Sequence, residues 1–174
     1  MQSDEAEVLS GIPQGSILGP VVLTIFINDI TDGIQSCYRI FADDTKIYDK
    51  TSNSQILQND INRLQDWTQT WNLYLNVLKC HVLHVGKKNP VCKYTMRLTE
   101  GVDDSVLKEC MEEKDLGVVF DKALSFDTHI QAAINKANKM IGIIRRTFSY
   151  LDKDILVNLY KTLVRPHLEY ANAV

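Results

Sequence analysis

The chain has 174 residues, enough for one domain or one and a half. Hydrophobic residues make up 45% and charged residues 24% of it, which excludes a disordered chain, and no apolar run approaches the roughly 20 residues of a membrane span. The net charge of -3 hides an asymmetry, because residues 1–128 hold 12 Lys+Arg against 19 Asp+Glu, whereas residues 129–174 hold 7 against 3. A basic end indicates either a nucleic-acid contact surface or helices that are simply well solvated.

The N-terminal residues and the cysteines bear on the compartment. Residues 1–7 carry three acids and no apolar segment, which argues against a secretory signal. The four cysteines form no Cys-x-x-Cys pair, so we expect reduced thiols. The sequence therefore predicts an intracellular protein with no membrane span, without distinguishing nucleus from cytoplasm.

Three elements are predicted near the start of the chain. Residues 6–9 form a short apolar stretch typical of a strand, and residues 11–15 form a tight loop with two glycines and a proline. The proline at position 20 suits the first turn of a helix, and the apolar residues that follow predict a buried helix over about residues 18–27.

A β-hairpin and an amphipathic helix are predicted next. Residues 38–42 and 45–48 have strand character and flank Asp43 and Asp44, which predicts a hairpin with the two acids at its centre. A helix over about residues 54–72 follows from the helical spacing of four apolar residues, namely Leu57, Ile61, Leu64 and Trp71.

Strands and then two helices are predicted in the second half. The strand candidates cover residues 82–85, 93–98, 106–110 and 116–120. A long helix follows, with a narrow apolar stripe made of Ile130, Ile134, Ala137, Ile141, Ile144 and Phe148. A second helix, over about residues 152–163, is predicted to direct Ile155, Leu159 and Leu163 inward until Pro166 interrupts it.

The adjacent acids Asp43 and Asp44 are the most informative pair in the sequence. Two neighbouring carboxylates repel each other unless a cation is present, and oxygen ligands at a hairpin tip suit Mg²⁺. An Asp-Asp pair is weak evidence by itself, since acidic turns are common and Asp103-Asp104 is a second example. The neighbouring segments decide how this pair is interpreted.

Three segments come in a fixed order: residues 10–20 (SGIPQGSILGP), residues 26–30 (FINDI) and residues 41–45 (FADDT). They resemble segments of the reverse transcriptases of non-LTR (LINE-type, jockey-like) retrotransposons. Residues 10–20 (SGIPQGSILGP) resemble the family's Pro-Gln-Gly loop, and residues 41–45 (FADDT) resemble its aromatic-x-Asp-Asp box. The resemblance includes residues 26–30 (FINDI) and continues through residues 71–80, 116–130, 145–148 and 159–171, so it covers nearly the whole chain.

The resemblance implies an α+β fold in two parts. Residues 1–125 are expected to be a partial reverse-transcriptase palm, an antiparallel sheet with helices packed on one face. Residues 126–174 are expected to be a truncated, helical, thumb-like hairpin. The implied activity is RNA-directed DNA polymerisation by two-Mg²⁺ nucleotidyl transfer. The implied partners are an RNA template with a DNA primer and deoxynucleotides, while the oligomeric state stays open.

The resemblance also assigns the site residues. Asp43 and Asp44 are implied to hold the catalytic metal. Phe41 and Ala42 beside them are implied to anchor this pair on the strand and to contribute to nucleotide and template binding. Gln14 and Gly15 are implied to lie against the template and the incoming nucleotide. Lys79 occupies a position where a lysine can protonate pyrophosphate, although a plain surface lysine is an equal alternative. The basic residues expected to grip the duplex backbone are Lys136, Lys139, Arg145, Arg146, Lys161 and Arg165.

Two further patterns have simpler interpretations. Cys80, His81, His84 and Cys92 are four metal-capable residues in 13 positions, but their spacing fits no common zinc pattern. Trp67 and Trp71 offer aromatic faces for stacking bases, yet their helical spacing favours core packing.

The family's pattern is not complete in this sequence. A palm of this kind needs a third carboxylate from an earlier strand, and only nine residues precede Ser10. Asp4, Glu5 and Glu7 do not match that earlier motif, and the fingers are also missing, so we expect a fragment that does not catalyse DNA synthesis by itself. The alternatives are a non-catalytic nucleic-acid-binding or interaction remnant of a decayed mobile element, and a product with no role.

Overall fold

In the computed structural model, the structure describes residues 15, 17–73, 75–98, 102–150 and 152–172. The contacts divide the chain into two units. Unit 1 consists of the residues up to Cys80 together with Cys92–Leu107, and unit 2 consists of His81–Val91 together with the residues from Lys108 onward. The change from strands to helices near residue 126 is therefore not the boundary between the units, because the last strands and the long helix both belong to unit 2. The predicted strand at residues 6–9 lies outside the described residues.

The chain contains helices and short strands, and its C-terminal part is helical. Unit 1 contains α1 (Gly19–Phe26), β1 (Cys37–Phe41), β2 (Asp44–Tyr48), α2 (Ser54–Thr70), β4 (Thr95–Leu98) and β5 (Val102–Val106). Unit 2 contains β3 (His81–Leu83), β6 (Lys108–Cys110), β7 (Glu112–Asp115), β8 (Val118–Asp121), α3 (Asp127–Thr147), α4 (Lys153–Leu159) and α5 (Arg165–Glu169). In the described part of the chain, no helix is long and apolar enough to cross a membrane.

The α+β class is confirmed, but the described strands form four two-stranded sheets rather than one larger sheet. Strands β1–β2, β4–β5 and β7–β8 pair antiparallel, whereas β3 and β6 pair parallel. The edge of β4 that faces away from β5 shows one reason for this. Gln58 and Gln65 of α2 hydrogen-bond the N–H and C=O groups of Thr95 and Arg97 at 2.9–3.0 Å, so these groups are not open to another strand.

The helix predicted at residues 18–27 is present as α1, but the prediction that it is buried is wrong, since Val21, Val22 and Ile25 are each at least half exposed. Helix α2 instead supplies buried apolar side chains of unit 1. Ile61 and Leu64 are buried, and Tyr94 and Met96 beside and on β4 are buried as well. The fourth residue of the predicted stripe, Trp71, lies just past the end of α2 and is half exposed. The stripe is therefore buried only in the middle of the helix.

Two predicted strands have different limits in the structure. The strand expected at residues 106–110 is divided at Leu107, which is buried and donates its N–H to the Tyr94 carbonyl at 2.8 Å. The strand expected at residues 116–120 begins only at Val118, because Leu116 and Gly117 form the β7–β8 turn with φ of 46° and 87°. Positive φ at both positions is typical of a two-residue hairpin loop.

The helical end of unit 2 has a core made of Ala137, Ile144 and Val164. The prediction that Leu163 points inward is wrong, since Leu163 is 38% exposed and Val164 is 1% exposed. The cause is a π-helical segment at Tyr160–Val164, in which Arg165 donates its N–H to the carbonyl five residues back. In a π turn the backbone hydrogen bond spans five residues instead of four. Val164 rather than Leu163 therefore lies on the same face as Leu159.

Pro166 does not end the helical path, contrary to the sequence-based prediction. It occupies the first turn of α5, and the path continues to Glu169. Proline is tolerated in a first turn because the N–H that it lacks has no partner there. The predicted stripe on α3 is buried at Ala137 and Ile144, while Ile130, Ile134 and Phe148 near its ends are exposed.

Candidate functional site

The two acids lie at the tip of the β1–β2 hairpin. Phe41 and Asp44 are the last paired residues, and Ala42 and Asp43 form the two-residue loop between them. Ala42 has a φ of 52°, a value at the first loop residue that suits the twist of a tight hairpin. The structure thus joins Phe41, Ala42, Asp43 and Asp44 in one turn, as the sequence predicts.

The tip of this hairpin is open to solvent. Asp43 and Asp44 are exposed, and Phe41 is 58% exposed. The side chain of Phe41 therefore does not anchor the acids in a core, and their position depends on the backbone of the hairpin. In the part of the chain that the structure describes, neither carboxylate makes a hydrogen bond or an ion pair, so two charges stand together without compensation.

The donor set fits a hard divalent cation that is completed by water and substrate. Mg²⁺ is commonly held by one or two carboxylates together with substrate phosphates, and rarely by a closed protein cage. Among residues 15, 17–73, 75–98, 102–150 and 152–172, no group of three or more His, Cys, Asp or Glu side chains is placed to hold a metal. Asp43 and Asp44 are thus two candidate ligands of an open site.

The Pro-Gln-Gly loop is described only at Gly15. Gln14 lies outside the described residues. Gly15 has a φ of 85°, and a Cβ atom added there would meet no other atom within 4 Å. This left-handed backbone favours glycine.

Lys79 ends a short 3-10 turn at Val77–Lys79, and its side chain is exposed. The turn contacts β4, and the Lys79 N–H donates to the Asn76 carbonyl at 2.9 Å. This environment is that of a surface lysine, and it places the ammonium group in solvent.

The four metal-capable residues at positions 80–92 are divided between the units. Cys80 and Cys92 belong to unit 1, and His81 and His84 belong to unit 2. Burial raises the pKa of the Cys80 thiol, which disfavours the thiolate that a zinc ion needs. His81 Nδ1 instead lies 3.3 Å from the Glu113 carboxylate.

The tryptophans join a small aromatic cluster with Phe26. The ring centroids of Phe26 lie 5.9 Å from Trp67 and 5.7 Å from Trp71, both edge to face. Trp67 Nε1 also donates to Asp29 Oδ1 at 3.0 Å. Asp29 therefore has a structural partner, and the cluster connects α1 with the end of α2, in agreement with the packing role predicted for the tryptophans.

The six basic residues of the helical end are all exposed. Lys139 and Arg146 are seven residues apart on α3, on the face opposite Ala137 and Ile144, since seven residues are close to two helical turns. Arg146 Nε donates to the Gly142 carbonyl at 3.1 Å. The other basic residues of the set, Lys136, Arg145, Lys161 and Arg165, flank this face or follow it in the chain.

Arg165 differs from the other five basic residues because it has an acidic partner. Its Nε lies 2.6 Å from Glu169 Oε1, and this hydrogen bond raises the pKa of the Arg165 guanidinium above its usual range. An arginine already paired with a carboxylate contributes less to phosphate binding. Lys139 and Arg146, on the face of α3 opposite its core, have no acidic partner among the described residues.

Sequence reasoning missed three polar residues of α2 that hydrogen-bond backbone groups of other segments. Asp60 is fully buried, and its carboxylate accepts hydrogen bonds from the segment that precedes β1. Gln58 and Gln65 hold β4, as described above. The available signal was an acid and two glutamines beside the apolar stripe of an otherwise amphipathic helix.

Comparisons with known proteins agree on one family. The model of the family described as reverse transcriptase (RNA-dependent DNA polymerase) matches residues 2–151. The RNA-directed DNA polymerase from the mobile element jockey of Drosophila funebris is 30% identical over 183 residues, and its counterpart from Drosophila melanogaster is 26% identical over 179 residues. The probable RNA-directed DNA polymerase from transposon X-element of Drosophila melanogaster is 25% identical over 183 residues.

The coverage of these matches is unequal. They include 93–97% of this chain but only 19% of each relative, so the chain spans about a fifth of the length of the curated relatives that it matches. No solved structure matches the chain.

Proposed function

Because the chain belongs to the reverse transcriptase (RNA-dependent DNA polymerase) family, we propose that it acts as the metal-holding part of an RNA-directed DNA polymerase from a jockey-like retrotransposon. The observation that carries this proposal is the hairpin tip, where Asp43 and Asp44 stand together in solvent. Reverse transcriptases use divalent metal ions, and we propose Mg²⁺ for this chain because its ligands are oxygen atoms only.

In this proposal Asp43 and Asp44 hold Mg²⁺, which when bound would activate a primer 3′-hydroxyl and stabilise the departing pyrophosphate. The open hairpin tip leaves room for nucleotide phosphates to complete the coordination. Gly15, with Gln14 before it, is proposed to lie against the template and nucleotide. Lys79, at the end of the Val77–Lys79 turn, is proposed as the proton donor to pyrophosphate.

Metal binding by the 174-residue chain tests this proposal directly. In a titration with Mn²⁺, paramagnetic broadening is expected to concentrate on the amide signals of residues 42–45, because the ion is held by the adjacent carboxylates. Asp43→Asn is expected to remove the broadening, while Asp104→Asn, at the other Asp-Asp pair, leaves it intact. Broadening spread evenly over exposed acids would contradict the proposal.

Primer extension on an RNA template tests the activity of the chain itself. We expect no template-dependent synthesis, because the described residues bring no third acid to the two ligands. A synthesis that requires Mg²⁺ and is lost in Asp43→Ala would contradict this expectation, and it would show that two acids suffice here or that another part of the chain supplies the third.

A second candidate, a non-catalytic nucleic-acid-binding or interaction role, is favoured by the exposed basic face of α3. Binding of an RNA–DNA duplex should weaken steeply as salt rises, since counterions are released on phosphate contact. Lys139→Gln with Arg146→Gln should reduce both the affinity and the salt slope, and Arg165→Gln should reduce them less because Arg165 is paired with Glu169. Binding that does not respond to salt would exclude a backbone-gripping role.

A further inference from the structure

Asp60 of α2 is a fully buried carboxylate that holds the backbone just before β1. Its Oδ2 accepts the Ser36 N–H at 2.8 Å, and the Gln35 N–H lies 3.1–3.2 Å from both carboxylate oxygens. A carboxylate that accepts two successive backbone amides fixes the direction of that segment, because charge-assisted hydrogen bonds are short and directional.

Arg63, one turn further along α2, completes the arrangement. Its guanidinium lies 3.4 Å from Asp60 Oδ1 and also donates to the Gly33 carbonyl. Its side chain is half exposed, so the positive charge is near solvent while the negative charge is buried. The segment 33–36 is thus held by two side chains of one helix.

The hairpin that follows is a ribbon of two strands. Within the described residues, β1 and β2 form a sheet with each other alone, and an isolated two-stranded ribbon is marginally stable in water. Its return strand β2 leads to α2 through Asp49, whose Oδ1 accepts from Asn53 Nδ2 at 3.1 Å. One end of the ribbon is therefore held by Asp60 of α2, and the other end is held at Asn53, immediately before α2 begins.

We propose that Asp60 is a positioning residue that sets the orientation of the β1–β2 hairpin relative to α2, and with it the place of Asp43 and Asp44. The inference rests on the proposed function, in which those two acids hold the metal. Asp60→Asn leaves one neutral acceptor oxygen for the amides of Gln35 and Ser36 and removes the ion pair with Arg63. The base of the hairpin is then held less firmly, while the apolar contacts of α2 remain.

The test compares Asp60→Asn with Asp66→Asn in the full chain. Asp66 is the matched control, because it lies on the same helix and pairs with Arg97 but is 63% exposed. Two quantities are measured by nuclear magnetic resonance: amide hydrogen exchange at Gln35 and Ser36, and residual dipolar couplings of the hairpin relative to α2.

In Asp60→Asn, exchange at the two amides should accelerate on the order of 10-fold or more. The couplings of β1 and β2 should shrink while those of α2 keep their values, because the hairpin moves against a helix that stays folded. Asp66→Asn should change neither quantity. Unchanged hairpin couplings, or an equal loss of couplings in α2, would overturn the positioning role.

If Asp60→Asn does not fold, Arg63→Met is the second test variant. Arg63 is half exposed, and its replacement removes the contacts of the guanidinium while the Asp60 carboxylate remains. The same pattern is expected with smaller amplitude, because Arg63 contacts both Asp60 and the Gly33 carbonyl. Faster exchange at Gln35 and Ser36 with hairpin couplings equal to wild type would overturn the proposal. The wild-type Mn²⁺ titration is judged separately. If the wild-type chain binds no metal while the hairpin of Asp60→Asn becomes mobile, the proposed function is contradicted. If the wild-type chain binds metal while the hairpin of Asp60→Asn stays rigid, only the role of Asp60 is contradicted.

Discussion

Helix α2 in unit 1 and helix α3 in unit 2 are held in different ways. The described contacts of α2 include buried or half-buried polar side chains, Asp60, Gln58 and Gln65, each bonded to backbone groups. The core on α3 consists of apolar contacts among Ala137, Ile144 and Val164. Hydrogen bonds specify direction and register, whereas apolar contacts depend mainly on the area buried. The helix nearest in sequence to the candidate metal ligands is thus the one that is positioned by directional bonds.

The largest effect is expected from removing both glutamines that hold β4. Gln58→Ala with Gln65→Ala should lower the free energy of unfolding by about 4 kcal/mol, because four hydrogen bonds are lost at roughly 1 kcal/mol each. Urea denaturation followed by tryptophan fluorescence measures the change. The control pair, Gln55→Ala with Gln69→Ala, changes exposed glutamines of the same helix and should cost less than about 1 kcal/mol. Equal costs would contradict the special role of the buried amides.

The next largest effect is expected in the apolar core on α3. Val164→Ala should cost about 2 kcal/mol, since it opens a cavity under α3. Leu163→Ala should cost less than about 1 kcal/mol, because Leu163 is partly in solvent. Urea denaturation followed by circular dichroism at the helical signal compares the two variants. A larger cost for Leu163→Ala would contradict the π-helical segment, since an uninterrupted α-helix would place Leu163 inward.

A smaller effect concerns the β7–β8 turn. A Cβ atom added at Gly117 would lie 3.1 Å from the Tyr170 ring, whereas at Gly86 it would meet no atom within 4 Å, and both glycines have positive φ. Gly86→Ala should therefore cost about 1 kcal/mol of backbone strain, and Gly117→Ala somewhat more, about 2 kcal/mol. Thermal denaturation compares them, and the difference should vanish when Tyr170 is also replaced by alanine. Persistence of the difference in that background would contradict the contact.

The smallest effect is a dependence of stability on pH near Asp121. Desolvation acts to raise the pKa of Asp121, but backbone hydrogen bonds from Ser125, Phe126 and Ala123 outweigh it and lower the pKa below the usual carboxyl value. A lowered native pKa means that the stabilisation is present above the unfolded pKa and is lost as pH falls through the native one. Asp121→Asn should therefore flatten the acid limb of the stability profile, measured by urea denaturation between neutral and acidic pH. An unchanged acid limb would contradict this assignment.

The sequence was sufficient wherever the signal was local. The hairpin around Asp43 and Asp44, helix α2 and helix α3 follow from strand alternation and helical spacing, and the structure confirms them. The family resemblance is confirmed as well, because its motifs are short segments in a fixed order. The functional roles of all the predicted site residues stay predictions, including those of Asp43 and Asp44 in holding a metal.

The tertiary structure determined which side chains are buried where the spacing of hydrophobic residues does not predict it. The exposure of Phe41 and the burial of Val164 instead of Leu163 depend on what packs against each element, and a π turn shifts the facing residue without any change in hydrophobic pattern. Asp60 and Gln65 look like ordinary polar residues of a helix until the backbone groups they bond are known. The sequence by itself determined the family and the acids at the hairpin tip. The tertiary structure determined how that tip is held, because hydrogen bonds between distant segments exist only once the chain has folded.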